Sequence, residues 1–408
     1  MSLEQRHSKQ SITLKKLATA QTLSGLGVTG TFAAGSLLVV QISGSEALAG
    51  LVQTSTVVGA ALLALPLARW TDQGGRRRSL GFGYFLGAIG ATFAFMGGIL
   101  RIFPLILVGA AMIGGASAAG YQARFAAVDL SDSSHRARDL SMVVWASTVG
   151  SVLGPNLMEP AGNFAHSIGL PKLVGPYIVA IVMLTLAATV VTIFLRPDPF
   201  LLARQERGEV YVREKRAFRK AFTVIRNTPK AWLALHAIVI GHITMVTIMV
   251  MTPVHMAHVD VSLHLIGLVI SVHVLGMYAL SPLVGRVVDR LGRIKTILIG
   301  VVILLASALT AGLAYADAVV RLGIGLFLLG LGWSCTLIAG STLLAESLPD
   351  EIKASGQGLS DLSMNGGGAV GGALAGIVIA VASYGWLCAI MAIPVLYLGA
   401  RAWRLRLK

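Results

Sequence analysis

Long apolar runs dominate this sequence and limit what the chain can fold into. Stretches of about twenty apolar residues recur at 17–41, 48–68, 79–100, 104–127, 139–160, 175–195, 230–254, 263–285, 296–316, 320–344, 356–381 and 384–402. A helix needs about 20 such residues to cross the hydrocarbon core of a bilayer. Only 12% of the 408 residues are charged, whereas a soluble domain has about 25%. The pattern predicts an all-α integral membrane protein with twelve transmembrane helices.

The basic residues indicate how these helices are oriented. The net charge is +15, but the basic residues lie in clusters between apolar runs without a nucleic-acid recognition motif, so we expect no nucleic-acid partner. If the N-terminus is cytoplasmic, thirty Lys and Arg residues fall on the cytoplasmic side and only Arg101, Lys172 and Arg321 on the other. Cytoplasmic loops carry such an excess. We therefore expect a multi-pass protein of the bacterial cytoplasmic (inner) membrane with both termini in the cytoplasm.

Few residues suggest a metal, a cofactor or catalysis. Cys335 and Cys388 lie inside apolar runs without CxxC spacing, which is typical of small buried residues. His255 and His258 have a loose metal-ligand spacing, but no further ligands lie near them in the sequence. No nucleotide-binding loop or catalytic triad is present. We expect no metal, no cofactor and no enzymatic activity.

A polar stretch divides the apolar runs into two sets of six. Residues 196–229 are rich in Arg, Lys and Glu. They are interpreted as a partly helical cytoplasmic linker, and a regulatory or lipid-headgroup contact is the alternative. The predicted organisation is an N-terminal six-helix bundle (1–195), the linker (196–229) and a C-terminal six-helix bundle (230–408).

Two loops contain the same motif at a constant offset. ARWTDQGGRRR (68–78) and GRVVDRLGRIK (285–295) align when 217 positions are added to the first. The offset pairs Asp72 with Asp289, Gly75 with Gly292, Arg76 with Arg293, Asp129 with Glu346, Gly150 with Gly367 and Gly154 with Gly371. One offset over several loops and helices indicates an internal repeat. An even number of spans separates the copies, so the two bundles have parallel topology.

The repeated motif resembles the signature of the major facilitator superfamily, G-x-x-x-D-x-x-G-R-[RK]. The second copy matches through Gly285, Asp289, Gly292 and Arg293, and the first through Asp72, Gly75, Arg76 and Arg77, with Ala68 in place of the leading glycine. The resemblance implies a secondary transporter in which two bundles alternate access to a midplane site. It also implies that Asp72 helps to hold the halves together on the cytoplasmic side. The alternative is that the motif only determines topology. Helices 3, 6, 9 and 12 are peripheral in this family.

Ionisable residues inside the spans are the best candidates for a gate. Such groups are costly in a membrane and usually mark function. Arg124 lies near the cytoplasmic end of helix 4, and Asp361 lies one to two turns into helix 11. In this family these helices approach each other at the cytoplasmic gate, so we expect a salt bridge between the two side chains when the gate is closed. The alternative is that Arg124 reaches to the lipid headgroups.

Proton coupling has several candidate carriers. His242 and His273 lie halfway through helices 7 and 8, and histidine titrates near neutral pH, although a membrane histidine can also be a plain hydrogen-bonding group. Asp361 and Glu159 are the acidic candidates. Helix 1 lacks the core acidic residue found in many proton-coupled exporters of this superfamily, so uncoupled transport stays an alternative.

Helix 5 contains a pattern that favours export. Gly150-x-x-x-Gly154-Pro155 resembles the core of a motif associated with the antiporters of this superfamily. The glycines permit close helix packing, and the proline permits a bend. Packing alone is the alternative, and it applies equally to Gly367 and Gly371 in helix 11.

Residues of the central helices suggest the cargo. The candidate substrate path contains Gln21, Thr29, Met245, Met249 and Asn365. Flexible methionines suit varied hydrophobic ligands, although they also serve ordinary packing. We therefore expect a monomeric transporter of the drug/proton antiporter-like branch that exports hydrophobic or amphipathic small molecules in exchange for protons. The alternatives are an importer of a small metabolite and a non-transporting membrane sensor or scaffold.

Overall fold

The computed structural model describes residues 3–44, 48, 51–132, 134–206, 217–257 and 263–407, and these contain helices but no strand. The helices are α1 (Leu3–Ser43), α2 (Leu51–Leu100), α3 (Phe103–Ala126), α4 (Arg136–Asn156), α5 (Met158–Ser167), α6 (Gly175–Thr189), α7 (Pro199–Glu206), α8 (Ala217–Asn227), α9 (Pro229–Ala257), α10 (Leu263–Tyr278), α11 (Ser281–Leu291), α12 (Arg293–Gly312), α13 (Val319–Ser347), α14 (Lys353–Val381) and α15 (Tyr384–Arg406).

Helix α2 is a hairpin of two membrane-spanning limbs. Its 50 residues would extend about 75 Å, more than twice the thickness of the hydrocarbon core. Gly75 has φ 81° and ψ 177°, which interrupts the helix. The rings of Trp70 and Phe82 are 4.2 Å apart, although residues twelve apart in a straight helix are separated by about 18 Å. The chain therefore reverses at Gly75.

The number of spans agrees with the twelve that the sequence predicts. Ten helical stretches among the described residues are long and apolar enough to cross a membrane, and α4 with α5 forms an eleventh that is bent by 50°. Because α2 folds back on itself, it supplies two crossings. The twelve-helix prediction is confirmed.

Three spans differ from straight helices joined by non-helical loops. The predicted loop between spans 2 and 3 is helical except at Gly75. Helix α4 ends one residue after Pro155, and the bend towards α5 follows at once, as expected where a proline removes a backbone donor. The eighth span is divided into α10 and α11, and the second of these begins with a proline in its first turn.

The chain divides into two compact units. Unit 1 contains Met1–Asp132, Ala146–Ala217 and Gln357–Leu362, and unit 2 contains Ser133–Trp145, Phe218–Gly356 and Ser363–Lys408. In unit 1, α2 packs on α3 and α6, and α6 also packs on α1. In unit 2, α13 packs on α9, α10 and α12, and α12 also packs on α15. The sequence-based boundaries 1–195, 196–229 and 230–408 stay a prediction. The linker contains α7 and α8, and its residues 207–216 lie outside the described chain.

Candidate functional site

Six polar side chains form a buried group in unit 1, which we call the buried charge cluster. Its members are Arg76, Gln122, Arg124, Asp129, Gln357 and Asp361. None is more than 7% exposed. Charged side chains are almost never this buried unless they are paired. The arrangement of their hydrogen bonds therefore determines what the cluster can do.

Arg76 is the centre of the cluster because its guanidinium contacts three partners. Nε donates to Asp129 Oδ2 at 2.8 Å and Nη2 to Asp129 Oδ1 at 3.3 Å. Nη1 donates to Gln122 Oε1 at 3.0 Å, and Nη2 also donates to Gln357 Oε1 at 2.7 Å. The hairpin of α2 places Arg76 directly after its turning point, Gly75. The fork of donors on an arginine suits such planar recognition, which a lysine cannot reproduce.

Asp361 is bound by Arg124 and Gln122. Arg124 Nη2 donates to its Oδ1 at 2.6 Å, and Gln122 Nε2 donates to its Oδ2 at 2.7 Å. The Gln122 amide thus accepts from Arg76 and donates to Asp361. An unbroken series of hydrogen bonds joins Asp129, Arg76, Gln122, Asp361 and Arg124. The predicted contact of Arg124 with Asp361 is present, and its role as a gate stays a prediction.

The formal charges of the cluster cancel, since Arg76 and Arg124 oppose Asp129 and Asp361. A buried pair costs desolvation energy, and removal of one partner leaves an uncompensated charge that costs about 3–5 kcal/mol. Arg124 also has its guanidinium carbon 4.7 Å from the ring centroid of Phe125, a cation–π contact. Its Nε and Nη1 have no hydrogen-bond partner in the described part of the chain. Asp361 is therefore the main anchor of Arg124.

The second repeat has an equivalent ion pair that is more exposed. Arg293 donates to Glu346 at 2.8 and 3.1 Å. These residues are 53 positions apart, as are Arg76 and Asp129. The side chains of Arg293 and Glu346 are 16% and 22% exposed. The offset of 217 places Ser341 at the position equivalent to Arg124. The cluster is thus only partly repeated.

Asp289 of the second motif lies at the N-terminus of α4. Ala137 N–H and Arg138 N–H donate to its two carboxylate oxygens at 3.1 and 2.9 Å. The first amides of a helix lack intrahelical partners, and the helix dipole favours an anion there. Gly292 ends α11 with φ 92°. The second motif therefore binds α4 through its aspartate, and the gating role of this contact stays a prediction.

The first motif is held by the linker instead. Arg77 N–H donates to Asp198 Oδ2 at 2.7 Å, and Phe200 N–H donates to Asp198 Oδ1 at 3.0 Å. Asp198 therefore caps α7 and also binds the turn of α2. A Cβ on Gly75, whose φ is positive, would overlap the Asp198 carboxylate, so glycine is required there. Arg204 of α7 also donates to the Asp72 backbone oxygen at 3.2 Å.

The sequence-based prediction missed four residues of this site, one of which, Asp129, appeared there only as the repeat equivalent of Glu346. Gln122 lies two positions before Arg124 in an apolar helix, and Gln357 lies four positions before Asp361, on the same helix face. Asp198 lies in the RPDP stretch that opens the linker. A polar amide in an apolar span was the available signal for the two glutamines. Nothing local distinguishes Asp198 from other linker residues.

Glycines bring α1 and α4 into backbone contact in unit 1. A Cβ on Gly150 would lie 2.6 Å from Gly25 Cα, and a Cβ on Gly154 would meet Thr29 Oγ1. Thr29 Oγ1 donates to Gly150 O at 3.0 Å. Such small-residue contacts with a hydroxyl hydrogen bond are typical of membrane helix pairs.

The second repeat uses side chains at the equivalent positions. A Cβ on Gly367 would lie 2.8 Å from Ile243 Cδ1, and one on Gly371 would lie 2.6 Å from Thr247 Oγ1. Both contacts join α14 to α9. Because side-chain ends can move, this interface tolerates change better than the backbone contact of Gly150.

The remaining candidates for proton transfer are not members of the buried charge cluster. Trp333 Nε1–H donates to Nδ1 of the buried His242 at 3.2 Å. His273 Nδ1–H donates to Leu326 O at 2.8 Å, which joins α10 to α13. Glu159 is exposed on α5. Coupling through any of these residues stays a prediction.

The candidate path residues are distributed over three helices, α1, α9 and α14. Gln21 Nε2 donates to Ser147 Oγ at 2.8 Å, so it joins α1 to α4. Met245 and Asn365 are buried, and Met249 is half-buried. Thr29 bonds the α4 backbone as described above. Their contact with a substrate stays a prediction.

The residues considered for metal binding form no such site in the described chain. His255 stacks on Tyr384 at 4.4 Å between ring centroids, and His258 lies outside the described residues. The part of the chain that the structure describes has no group of three or more His, Cys, Asp or Glu side chains that could hold a metal. Cys335 and Cys388 are buried free thiols.

Comparison with known proteins agrees with the geometry. The family model of the Major Facilitator Superfamily matches residues 17–259 and 237–407. The uncharacterized MFS-type transporters YdeG and YddS of Bacillus subtilis (strain 168) are each 35% identical, over 96% and 91% of this chain and 93% and 86% of their own. The riboflavin transporter RfnT of Brucella anthropi is 26% identical over 91% of this chain and 89% of its own.

Solved structures show the same fold at low sequence identity. A bacterial homologue of the iron transporter ferroportin, in its outward-facing state, aligns over 97% of this chain and 100% of its own with a TM-score of 0.74. The E. coli fucose:proton symporter FucP aligns over 98% of this chain and 99% of its own with a TM-score of 0.73. Both are 14% identical to it. The chain therefore belongs to the major facilitator superfamily and is a multi-pass membrane transporter of small molecules rather than an enzyme.

Proposed function

We propose that this transporter exports hydrophobic or amphipathic small molecules in exchange for protons, and that the buried charge cluster locks its cytoplasmic entrance. The observation that carries this proposal is the series of hydrogen bonds from Arg76 through Gln122 to Asp361. It joins the end of α3, in the first half of the sequence, to the start of α14, in the second half. A transporter that alternates access must break and remake contacts between its halves.

Asp361 is the proposed site at which a proton acts on this lock. With Asp361 ionised, two arginines and two carboxylates balance. Protonation would remove one negative charge and leave Arg124 without its anionic partner, at the cost of an unpaired buried charge. The lock would then open. This scheme uses a residue already in the cluster and does not need an acidic group in α1.

The side chains of α1 and α9 support the proposed class of cargo. Between Gln21 and Ser36, α1 has polar but uncharged side chains such as Thr29, and the middle of α9 presents Met245 and Met249. A path without fixed charge suits an apolar or weakly polar cargo. The Gly150-x-x-x-Gly154-Pro155 pattern supports export over import.

Orientation is part of the proposal. The thirty-to-three distribution of Lys and Arg supports a cytoplasmic position for both termini and for the cluster. We further propose a monomer in the bacterial inner membrane. Proteolysis of intact and inverted membrane vesicles would check the orientation, because only inverted vesicles should lose the linker.

Flux through proteoliposomes tests the proposed activity. With an acidic lumen, an antiporter should accumulate an amphipathic dye such as ethidium inside the vesicles, and Asp361→Asn should abolish the accumulation. Asp317→Asn is the matched control, because Asp317 is an exposed carboxylate between α12 and α13. Wild-type vesicles that accumulate no compound from a broad panel, although the protein still binds some of them, would support the sensor or scaffold instead.

Import of a small metabolite is the second candidate. The similarity to the riboflavin transporter RfnT over 91% of this chain favours riboflavin as the first test compound. Uptake of riboflavin without dye accumulation would replace the export proposal. Riboflavin uptake and dye accumulation are both measured in the same vesicles.

A further inference from the structure

Two apolar cavities lie on the surface of unit 2 between α12 and α15. One, of about 560 Å³, lies beside Leu309 and Trp386. The other, of about 640 Å³, lies beside Ile299 and Trp403, and we call it the groove. Residues early in α12 face residues late in α15, so the two helices are antiparallel.

The larger cavity combines an apolar floor with two cations. Leu298, Ile299 and Val302 supply apolar surface, and Lys295 and Arg406 lie at the end of the groove. None of the residues that line this cavity is acidic. The guanidinium carbon of Arg406 lies 5.4 Å from the ring centroid of Trp403. A tryptophan beside a cation is typical of the interface between hydrocarbon and headgroups.

The dimensions of the cavity match one leaflet of a bilayer. Lys295 and Ile303 are the first and last α12 residues around the apolar part, and eight residues of helix rise about 12 Å. One leaflet contributes about half of a hydrocarbon core of about 30 Å. The cations then lie at headgroup level while the apolar floor lies at acyl-chain level.

Small residues of α15 create the depth of the groove. A Cβ on Gly399 would lie 3.0 Å from Val301 Cγ1, so the two helices nearly touch at the base. The neighbouring Ala400 is exposed and leaves the space above open.

We propose that this groove binds an anionic phospholipid of the surrounding leaflet. The phosphate lies between Lys295 and Arg406, and an acyl chain follows Leu298, Ile299 and Val302. Two cations in a cavity without an acidic lining residue favour an anionic headgroup over a zwitterionic one, since a basic pocket between transmembrane helices is a known form of lipid recognition. The proposal goes beyond transport and does not depend on the identity of the cargo.

Lipid binding to the purified protein tests this site. We expect native mass spectrometry in detergent to show a retained adduct of phosphatidylglycerol and a much weaker one of phosphatidylcholine. Lys295→Ala with Arg406→Ala should weaken phosphatidylglycerol binding about 30-fold, because each cation near a membrane surface contributes about fivefold. Arg404→Ala is the matched control, because Arg404 is an exposed cation of the same helix that does not line the cavity.

A second variant tests the contact with the acyl chain separately from the contact with the two cations. Ala400→Phe should fill the groove and reduce phosphatidylglycerol retention while both cations remain. Equal retention of the two lipids by the wild type would overturn the proposal, and this comparison needs no variant to fold. Equal losses of phosphatidylglycerol binding for Arg404→Ala and for the double variant would also overturn the proposal. So would a stable dimer that Ala400→Phe disrupts, because such a dimer would assign the groove to a second copy of the chain.

Discussion

Arg76 and Arg293 occupy equivalent positions in two copies of one motif, but their surroundings differ. Arg76 is fully buried among Asp129, Gln122 and Gln357. Arg293 keeps a partly exposed pair with Glu346. The two equivalent arginines should therefore contribute different amounts to the free energy of unfolding.

Replacement of each arginine by methionine measures this difference. Arg76→Met leaves the buried Asp129 without its partner, which should lower the free energy of unfolding by about 3–5 kcal/mol. Arg293→Met should cost about 1 kcal/mol, as for pairs that water can screen. Unfolding of the purified protein in mixed micelles gives both values. Equal losses for the two variants would show that burial does not decide the role of the motif arginine.

Gly75 and Gly292 provide a second matched pair. Both have positive φ with extended ψ, a region that is essentially restricted to glycine and costs other residues about 1–3 kcal/mol. Only at Gly75 would a Cβ also meet Asp198, because no atom of the described residues lies within 4 Å of a Cβ at Gly292. Gly75→Ala should therefore destabilise the protein more than Gly292→Ala.

The contribution of Asp198 can be separated by a double variant. In an Asp198→Ala background, Gly75→Ala should cost about as much as Gly292→Ala does in the wild type, as measured by the midpoint of thermal unfolding. An unchanged difference between the two glycines would mean that Asp198 does not determine the requirement at Gly75.

Sequence reasoning reached the motif residues of this site but not their amide partners. Asp72, Gly75 and Arg76 stand out because they recur 217 positions later. Gln122 and Gln357 do not recur, and their partners become visible only when α3 and α14 are brought together. Hydrogen bonds between distant side chains leave no periodic trace in a sequence.

At the scale of elements, α4 receives contacts from two different parts of the chain. Its N-terminus binds Asp289 within unit 2, and its later turns pack on α1 within unit 1 through Gly25 and Gly150. The two units accordingly divide the helix between residues 145 and 146. Apolar periodicity predicts where such a helix lies, but it does not show which neighbours each turn has. The pattern therefore predicts the spans but not the neighbours that each turn of a helix packs on.

Alanine at the paired glycines tests the packing of α4. Gly150→Ala places a Cβ 2.6 Å from the α1 backbone, which cannot yield without moving a helix, so we expect a loss of about 1–3 kcal/mol. Gly367→Ala meets the end of the Ile243 side chain and should cost less than half as much. Thermal unfolding of both variants measures the two losses of stability. The prediction fails if Gly367→Ala destabilises the protein more than Gly150→Ala does.

Across the whole molecule, the fold brings together the six side chains of the proposed lock, which we propose that a proton releases. The family and the twelve spans followed from apolar runs and one repeated loop, because membrane crossing and topology depend on composition and spacing. The lock depends on six side chains from distant parts of the chain. Its release should expose buried residues next to the cluster in the sequence, and Ser360, which is fully buried and precedes Asp361, is the most useful reporter.

The labelling rate of a cysteine at position 360 is the most direct test of this lock. Ser360→Cys is introduced with Cys335→Ala and Cys388→Ala, and its reaction with a maleimide is followed in proteoliposomes. The account predicts slow labelling with the cluster intact and labelling at least about tenfold faster with Arg124→Met, which removes the main partner of Asp361 at a cost of several kcal/mol. Arg138→Met, at an arginine whose side chain is 50% exposed, should leave the rate unchanged. Equal rates with and without Arg124 would contradict the claim that the buried charge cluster keeps the entrance closed.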